Sequence, residues 1–450
     1  MQSCIATKDY EKPAVWNDAA FNTHNISQDS VAQPVMTWKE VFTDALLQQH
    51  IQTALENNID VRVALENINQ ANATFAQGKA GYLPTLNVGA NYTHSVNSIN
   101  TQFGRILGQR QRLDQFDITG SLAWEVDVWG KITSRKLANE ASYLQTIAAH
   151  QAVKTQLISM VASTYYNLLA LDAQKQIAEK TIVNRTKSLE TNKALKDAGR
   201  VTEVAVKQTE AQMLSAQSLL LDIDNNIKVQ ENAMSVLLGM FPKGIERATF
   251  SSQQLAVNGV DGVSLAVLNN RPDILAAELG FRNAFELTNV AKASFYPTLR
   301  LTANGGLQSV DFDKLFDPTS FFASIVSGLA QPILNGRLIR TQYEISLSNK
   351  EKALLNYKQA VLNASKEVSD ALYTIETNMK KLNLKKQEAE AYSTAVQYSQ
   401  ELLNNGMASY LEVLTATESE LNGELNVITT QYNLWNANIQ LFKAMGGGVE

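Results

Sequence analysis

Few residues of this 450-residue chain have the types and spacing that chemistry needs. His24, His50, His94 and His150 show no metal-ligand spacing. No GxSxG, HExxH or P-loop occurs. Asp and Glu are many, but in a long helical chain they read mostly as a solvated face. No enzyme activity, cofactor or metal is expected. The single cysteine, Cys4, forms no internal disulfide and lacks the partners of a thiolate metal site. Its position leaves two readings. It is a lipid acceptor, since anchors use terminal or juxtamembrane cysteines, or it is an incidental thiol. No secretory signal precedes it in Met1-Gln2-Ser3-Cys4, so any signal peptide is expected to have been cut or replaced. The charge of −5 is mild and leaves no nucleic-acid footprint.

The elements that would carry a function are strands. In Phe116 to Lys131, the residues Phe116, Ile118, Leu122, Trp124, Val126 and Val128 share one face. Asp117, Thr119, Ser121, Glu125 and Asp127 share the other. Leu86, Val88, Ala90 and Tyr92 alternate in the same way with polar or small neighbours. So do Leu299, Leu301, Ala303 and Leu307, and a fourth segment places Phe321, Ala323, Ile325 and Leu329 on one face. Alternation over about ten residues marks a membrane-spanning β-barrel, but an ordinary soluble sheet alternates too. Four strands cannot close a barrel, because open edges in lipid cost several kcal/mol for each unsatisfied backbone group. Three copies would supply twelve strands, an even and permitted number.

Residues 1–37 read as an irregular arm. A helix is expected from Trp38 to about Glu56 and another from Asp60 to Ala80, ended by Leu83-Pro84. Strands of about 84–94 and 116–129 flank a polar loop, 95–115. A long helix over 131–198 contains no Gly or Pro and would measure about 100 Å. A shorter one covers 202–238, and 240–270 is a linker. The order then restarts, with a helix over 272–294, strands of about 298–308 and 320–334, and helices over 338–404 and 409–445. Pro84 and Pro297, Gly130 and Gly336, Gly199 and Gly406 are equivalent landmarks, about 206 to 213 residues apart. The chain is therefore read as two internal repeats, 38–239 and 271–450.

The long helices carry heptads. Leu354, Val361, Val368, Ile375 and Leu382 recur every seven residues, as Ile147, Val161, Leu168, Ile182 and Leu189 do around Lys154 and Lys175. Alone, such heptads mean a dimeric or bundled coiled coil. Attached twice to membrane-type strands, they suggest a tube of helices continuing a barrel. Trp124, Trp129, Tyr82, Tyr92, Tyr296, Phe321 and Phe322 fit either aromatic girdles or packing near the junction of barrel and helices.

The stretch Asn270-Arg271-Pro272-Asp273-Ile274-Leu275-Ala276-Ala277-Glu278 resembles the RPDI-x-AAE stretch of the TolC-type outer-membrane efflux channels, in the lipoprotein branch that serves resistance-nodulation-division pumps. Phe295-Tyr296-Pro297, the run from Glu125 to Lys131 and the helical hairpin tips are similar too, and the likeness covers nearly the whole chain. Cys4 followed by Asp9-Tyr10 and Pro13 resembles that branch's mature N-terminus, which implies lipid on Cys4. The resemblance implies a mixed α/β membrane protein. Its homotrimer would share one 12-stranded outer-membrane β-barrel, continued by a periplasmic α-helical coiled-coil barrel. Partners implied are a periplasmic membrane-fusion adaptor, an inner-membrane pump reached through it, and outer-membrane lipid.

The resemblance also implies a gate at the helix tips. One tip is Gly199, Arg200, Val201, Thr202, Glu203 and Val204, and the other runs from Gly406 through Met407, Ser409 and Leu411 to Thr415. Glu412 matches the first of two acidic residues that form carboxylate rings in the family, Thr415 stands where the second is expected, and Leu411 matches an apolar constriction. Three copies of Glu412 would favour cations, although the same carboxylate also fits a solvated helix start. Pro84, Gly130, Pro297 and Gly336 would mark the junction of barrel and helices. The expected function is the passive exit duct of a tripartite efflux system for small toxic compounds such as drugs. The alternatives are a lipid-anchored periplasmic coiled-coil protein without a pore, and a duct for type I protein secretion. Low Met content and scattered His give no reason to favour metal ions as cargo.

Overall fold

The computed structural model describes residues 6–15, 37–253 and 271–448. Cys4, most of the 1–37 arm, Asn270 and the second half of the 240–270 linker lie outside the described residues. The elements in chain order are α1 (Trp38–Val41), α2 (Ala45–Asn57), α3 (Ile59–Ala80), β1 (Thr85–Val96), α4 (Gln102–Leu107), β2 (Arg112–Val126), α5 (Lys131–Asp197) and α6 (Glu203–Leu237). They are followed by α7 (Pro272–Ala293), β3 (Thr298–Ser309), β4 (Phe321–Ala330), α8 (Leu338–Asn404) and α9 (Tyr410–Ala444).

Local chemistry sets the boundaries. The helix expected from Trp38 to Glu56 is two helices. The Asp44 carboxylate accepts from the amides of Leu46 (2.8 Å) and Leu47 (3.2 Å), so it starts a new helix rather than continuing the old one. The loop expected over 95–115 is not all loop. Thr101 caps α4 by accepting from Gly104 N, Gly108 ends it at φ 68°, and β2 begins at Arg112. Asp127 caps α5, taking the amides of Ile132 at 2.9 Å and Thr133 at 2.8 Å. Both α5 and α8 span 67 residues, and both α6 and α9 span 35.

The chain divides into two compact units. The first is drawn from Met1–Pro13, Asn69–Gln145 and Glu278–Tyr357 and contains a four-stranded antiparallel sheet in the order β1-β2-β3-β4. Its N-terminal segment is held against α7. Lys8 and Asn289 exchange two hydrogen bonds, Lys12 meets Glu278 at 2.6 Å, and Tyr10 lies beside Phe281 and Phe285. Burial, followed by the charge of Glu278, pushes the Tyr10 phenol up to about 12.

The second unit is drawn from Ala14–Ile68, Thr146–Ala277 and Lys358–Glu450. Its core joins Trp38, Phe42, Leu47 and Ile51 to Ile158, Tyr165, Tyr166, Leu169, Met234, Trp435 and Phe442. Each such side chain contributes about 1.5–3 kcal/mol of burial. Within α8 the heptad residues Val361, Val368, Ile375 and Leu382 are buried, as are Val161, Leu168 and Leu189 of α5. The seam read from the seven-residue period is thus a packed one.

Candidate functional site

The strand register makes the sheet two-faced. One row across all four strands is Leu86, Leu122, Ala303 and Ile325, and another is Ala90, Ile118, Leu307 and Phe321. The opposite face carries Asn87, Ser121, Asn304 and Ser324, with Asp117 beside Gln308 and Glu125 beside Arg300. The apolar face is uncovered, with Leu86 at 68%, Val88 at 74%, Ile325 at 77% and Leu329 at 70% exposure. In water that would be an aggregation hazard. Exposure is greatest along β1 and β4, whose outer edges pair with no strand among the described residues.

Aromatic side chains gather at both ends of the strands. Near the helical end the Trp124 indole donates to Tyr82 O at 2.9 Å, Trp129 donates to Pro297 O at 2.7 Å, and Trp129 stacks on Tyr296. At the hairpin end Tyr92 stacks on its cross-strand partner Phe116, and Phe116 meets Phe312 edge-on. The eight residue steps from Phe116 to Trp124 rise about 26 Å, close to the ~25 Å apolar band of outer-membrane barrels. Of the residues expected at a junction of barrel and helices, Pro297 is tied by Trp129 to the segment that follows β2. Gly130 turns at φ 76° and Gly336 at φ 60°, followed by Arg337 at φ 68°.

In the second unit the two hairpin tips are built alike. Gly199 and Gly406 both sit at φ 72°, in the left-handed region where glycine carries no Cβ penalty. Arg200 N donates to Leu195 O, and Met407 N to Leu402 O, each at 2.8 Å. These are paired helix-terminating motifs. Lys196 meets Glu203 across the first tip at 3.0 Å. On the second, Glu412 Oε2 accepts from Ser409 N at 3.1 Å in a capping box, while Thr415 Oγ1 donates back to Leu411 O. Met407 and Leu411 are exposed, at 70% and 58%.

Buried polar groups that sequence reasoning passed over join these tips. Arg185 of α5 donates to Gln212 O on α6 at 2.7 Å and to Glu418 on α9 at 2.6 Å. Nearer the tips, Asn192 donates to Thr209 Oγ1 at 2.8 Å, and that hydroxyl lies 2.5 Å from the Tyr410 phenol. Arg185, Asn192 and Thr209 are all buried. A signal was present, because Arg185 and Asn192 share the face of Ile182 and Leu189 at three- and four-residue spacing.

Two further clusters are structural. Arg271 of the RPDI-like stretch is 4% exposed, pairs with Asp273 and Glu367 at 2.7 Å, and donates to Ala444 O at the end of α9. Burial raises the Asp273 carboxyl, but the guanidinium overrides it and holds the group below its usual range. Arg247 joins Asp172 at 2.5 Å to Glu231 at 2.8 Å. Among the described residues no group of three or more His, Cys, Asp or Glu is placed to hold a metal, and no helix is long and apolar enough to cross a membrane.

Comparison with known proteins matches this architecture. The family model described as outer membrane efflux protein fits residues 50–240 and 264–447. The solvent efflux pump outer membrane protein SrpC of Pseudomonas putida is 28% identical over 455 residues, covering 99% of this chain and 95% of the relative. A probable outer membrane lipoprotein, SilC of Salmonella typhimurium, is 25% identical, covering 100% of this chain and 96% of SilC. The crystal structure of CusC, described in terms of folding and transmembrane channel formation, superposes with a TM-score of 0.88 at 27% identity, covering 99% of this chain and 100% of CusC. With its two-faced sheet and paired helical hairpins, the chain belongs to the outer membrane efflux protein family.

Proposed function

We propose that this outer-membrane efflux protein is a homotrimeric exit duct that passively conducts small toxic compounds such as drugs to the cell exterior. They arrive from an inner-membrane resistance-nodulation-division pump and a periplasmic adaptor. The observation that carries this is the sheet, with one face apolar and exposed, one face polar, and both outer edges unpaired among the described residues. Three copies joined edge to edge close twelve strands, satisfy the edge backbone groups, turn the apolar face to lipid and line a pore with Asn, Ser, Thr, Asp and Gln. A pore-free coiled-coil protein has no use for an apolar sheet face left uncovered.

In this reading 38–239 and 271–450 are structural repeats, supported by the equal lengths of α5 and α8 and of α6 and α9. Lipid on Cys4 anchors the arm. Gly199, Arg200, Thr202, Glu203, Gly406, Met407 and Ser409 offer the adaptor its contact. Leu411, Glu412 and Thr415 form the periplasmic gate, which opens by movement of the tip helices and not by chemistry.

Glu412 has two tasks, capping α9 and charging the aperture, and one substitution separates them. Glu412→Gln keeps an oxygen for Ser409 N and removes the charge. In a planar bilayer the variant is expected to lose cation preference with little change in melting temperature, whereas Glu412→Ala loses both. Unchanged ion selectivity in Glu412→Gln removes Glu412 from the gate.

A further inference from the structure

The two strand-connecting loops at the hairpin end carry opposite charge. The β1–β2 connection contains no acid from Asn97 to Arg112, the first residue of β2, and its charges are Arg105, Arg110 and Arg112 alone. The β3–β4 loop, 310–320, holds Asp311, Asp313 and Asp317 against Lys314 alone. All seven charged residues are exposed. Lys314 is taken by Asp311 at 2.8 Å. Among the described residues, none of the three arginines forms an ion pair, and neither does Asp313 or Asp317. Within one chain the two hairpin ends meet through the Phe116–Phe312 ring contact instead.

Topology says where the unused charge goes. In an antiparallel sheet ordered β1-β2-β3-β4, both hairpin loops lie at the same end, one beside the β1 edge and the other beside the β4 edge. Closing the edges of neighbouring copies sets β4 of one beside β1 of the next, at strand spacing of about 4.8 Å. The acidic loop of one copy then stands next to the basic loop of its neighbour. That is within the ~8 Å screening length at physiological ionic strength.

We infer that Arg105, Arg110 and Arg112 of one copy pair with Asp313 and Asp317 of the adjacent copy, forming an electrostatic clasp that sets which edges join and ties the outer rim of the barrel. The occupant of the basic loop is thus a second copy of this chain. This inference rests on the trimer proposed above.

Two sets of variants test it in detergent-solubilised full-length protein. Reversing the basic loop (Arg105→Glu, Arg110→Glu, Arg112→Glu) or the acidic loop (Asp313→Arg, Asp317→Arg) is expected to lower the temperature at which the oligomer dissociates, most at low salt. Combining both reversals is expected to restore it. An Arg110→Cys, Asp317→Cys pair is expected to give covalent dimers and trimers on a denaturing gel, with each single substitution as the control for Cys4. Bridges found only within one chain, or a double reversal no better than the single ones, overturn the clasp. So does an effect confined to the basic loop together with loss of co-purifying lipopolysaccharide, which assigns the arginines to a lipid surface. A trimer without covalent dimers fails the clasp alone, whereas a monomeric wild type fails the trimer as well.

Discussion

Arg247→Met is expected to destabilise the second unit by about 2–3 kcal/mol, because it leaves Asp172 without its guanidinium and Glu231 with Lys228 alone. Arg247 is 13% exposed, Glu231 8% and Asp172 32%. The guanidinium holds both carboxylates and also donates to Ile245 O. The check is a thermal melt of the solubilised protein, and an unchanged midpoint contradicts the assignment. The triple variant Arg247→Met, Asp172→Asn, Glu231→Gln is expected to recover much of the loss, since it removes the stranded charges along with the pair. Acid gives an independent reading of the same cluster. Burial pushes the Glu231 carboxyl up, but Arg247 and Lys228 together bring it below its ordinary value of 4.5. A depressed folded-state value means the stabilisation is complete above about 4.5 and is lost as pH falls through the folded value. Wild type should therefore melt earlier on acidification below that point, and the triple variant should lack this component.

Arg185→Met is the second large effect, and its readout is conductance. The guanidinium ties α5 to α6 through Gln212 O and to α9 through Glu418, so it links the first helical hairpin to one arm of the second. Each charge-assisted hydrogen bond contributes about 1.5–3 kcal/mol. If opening separates these helices, losing one such bond shifts the closed-to-open ratio by about 10- to 100-fold. Resting conductance in a planar bilayer should rise accordingly. Tyr410→Phe removes one hydroxyl from the Thr209 and Asn192 cluster and is expected to give a smaller rise. A destabilised variant whose resting conductance matches wild type would show that Arg185 only packs the helices.

Much of the fold was legible because it rests on local rules. Period-two alternation found most residues of all four strands, since a sheet with one apolar face has to alternate, although β2 stops at Val126 and β4 at Ala330, short of the expected 129 and 334. The absence of Gly and Pro from Lys131 to Ala198 marked α5, and the glycines at 199 and 406 marked its end and that of α8. What escaped depended on partners distant in sequence. The break at Phe42–Asp44 was hidden because the apolar pattern runs through it. The side chain that makes the break, Asp44, is also held by the Tyr165 phenol and by Gln253. The start of β2 at Arg112 was hidden because Asp114 and Gln115 look like loop residues until Asp114 meets His94 and Tyr92 across the strand pair. Arg271 is legible in the sequence as part of a motif, yet its task, binding the start of α7 to Glu367 and to the last turn of α9, shows only in three dimensions.

Particle mass separates a barrel shared by three copies from a sheet that belongs to one chain alone. Light scattering of the detergent-solubilised protein, with the detergent contribution subtracted, should give about 149 kDa of protein, three times the 49.6 kDa chain. Removal of detergent should precipitate it, since the apolar sheet face then meets water. A monodisperse particle of 49.6 kDa that stays soluble without detergent contradicts the barrel and makes the sheet an ordinary soluble one.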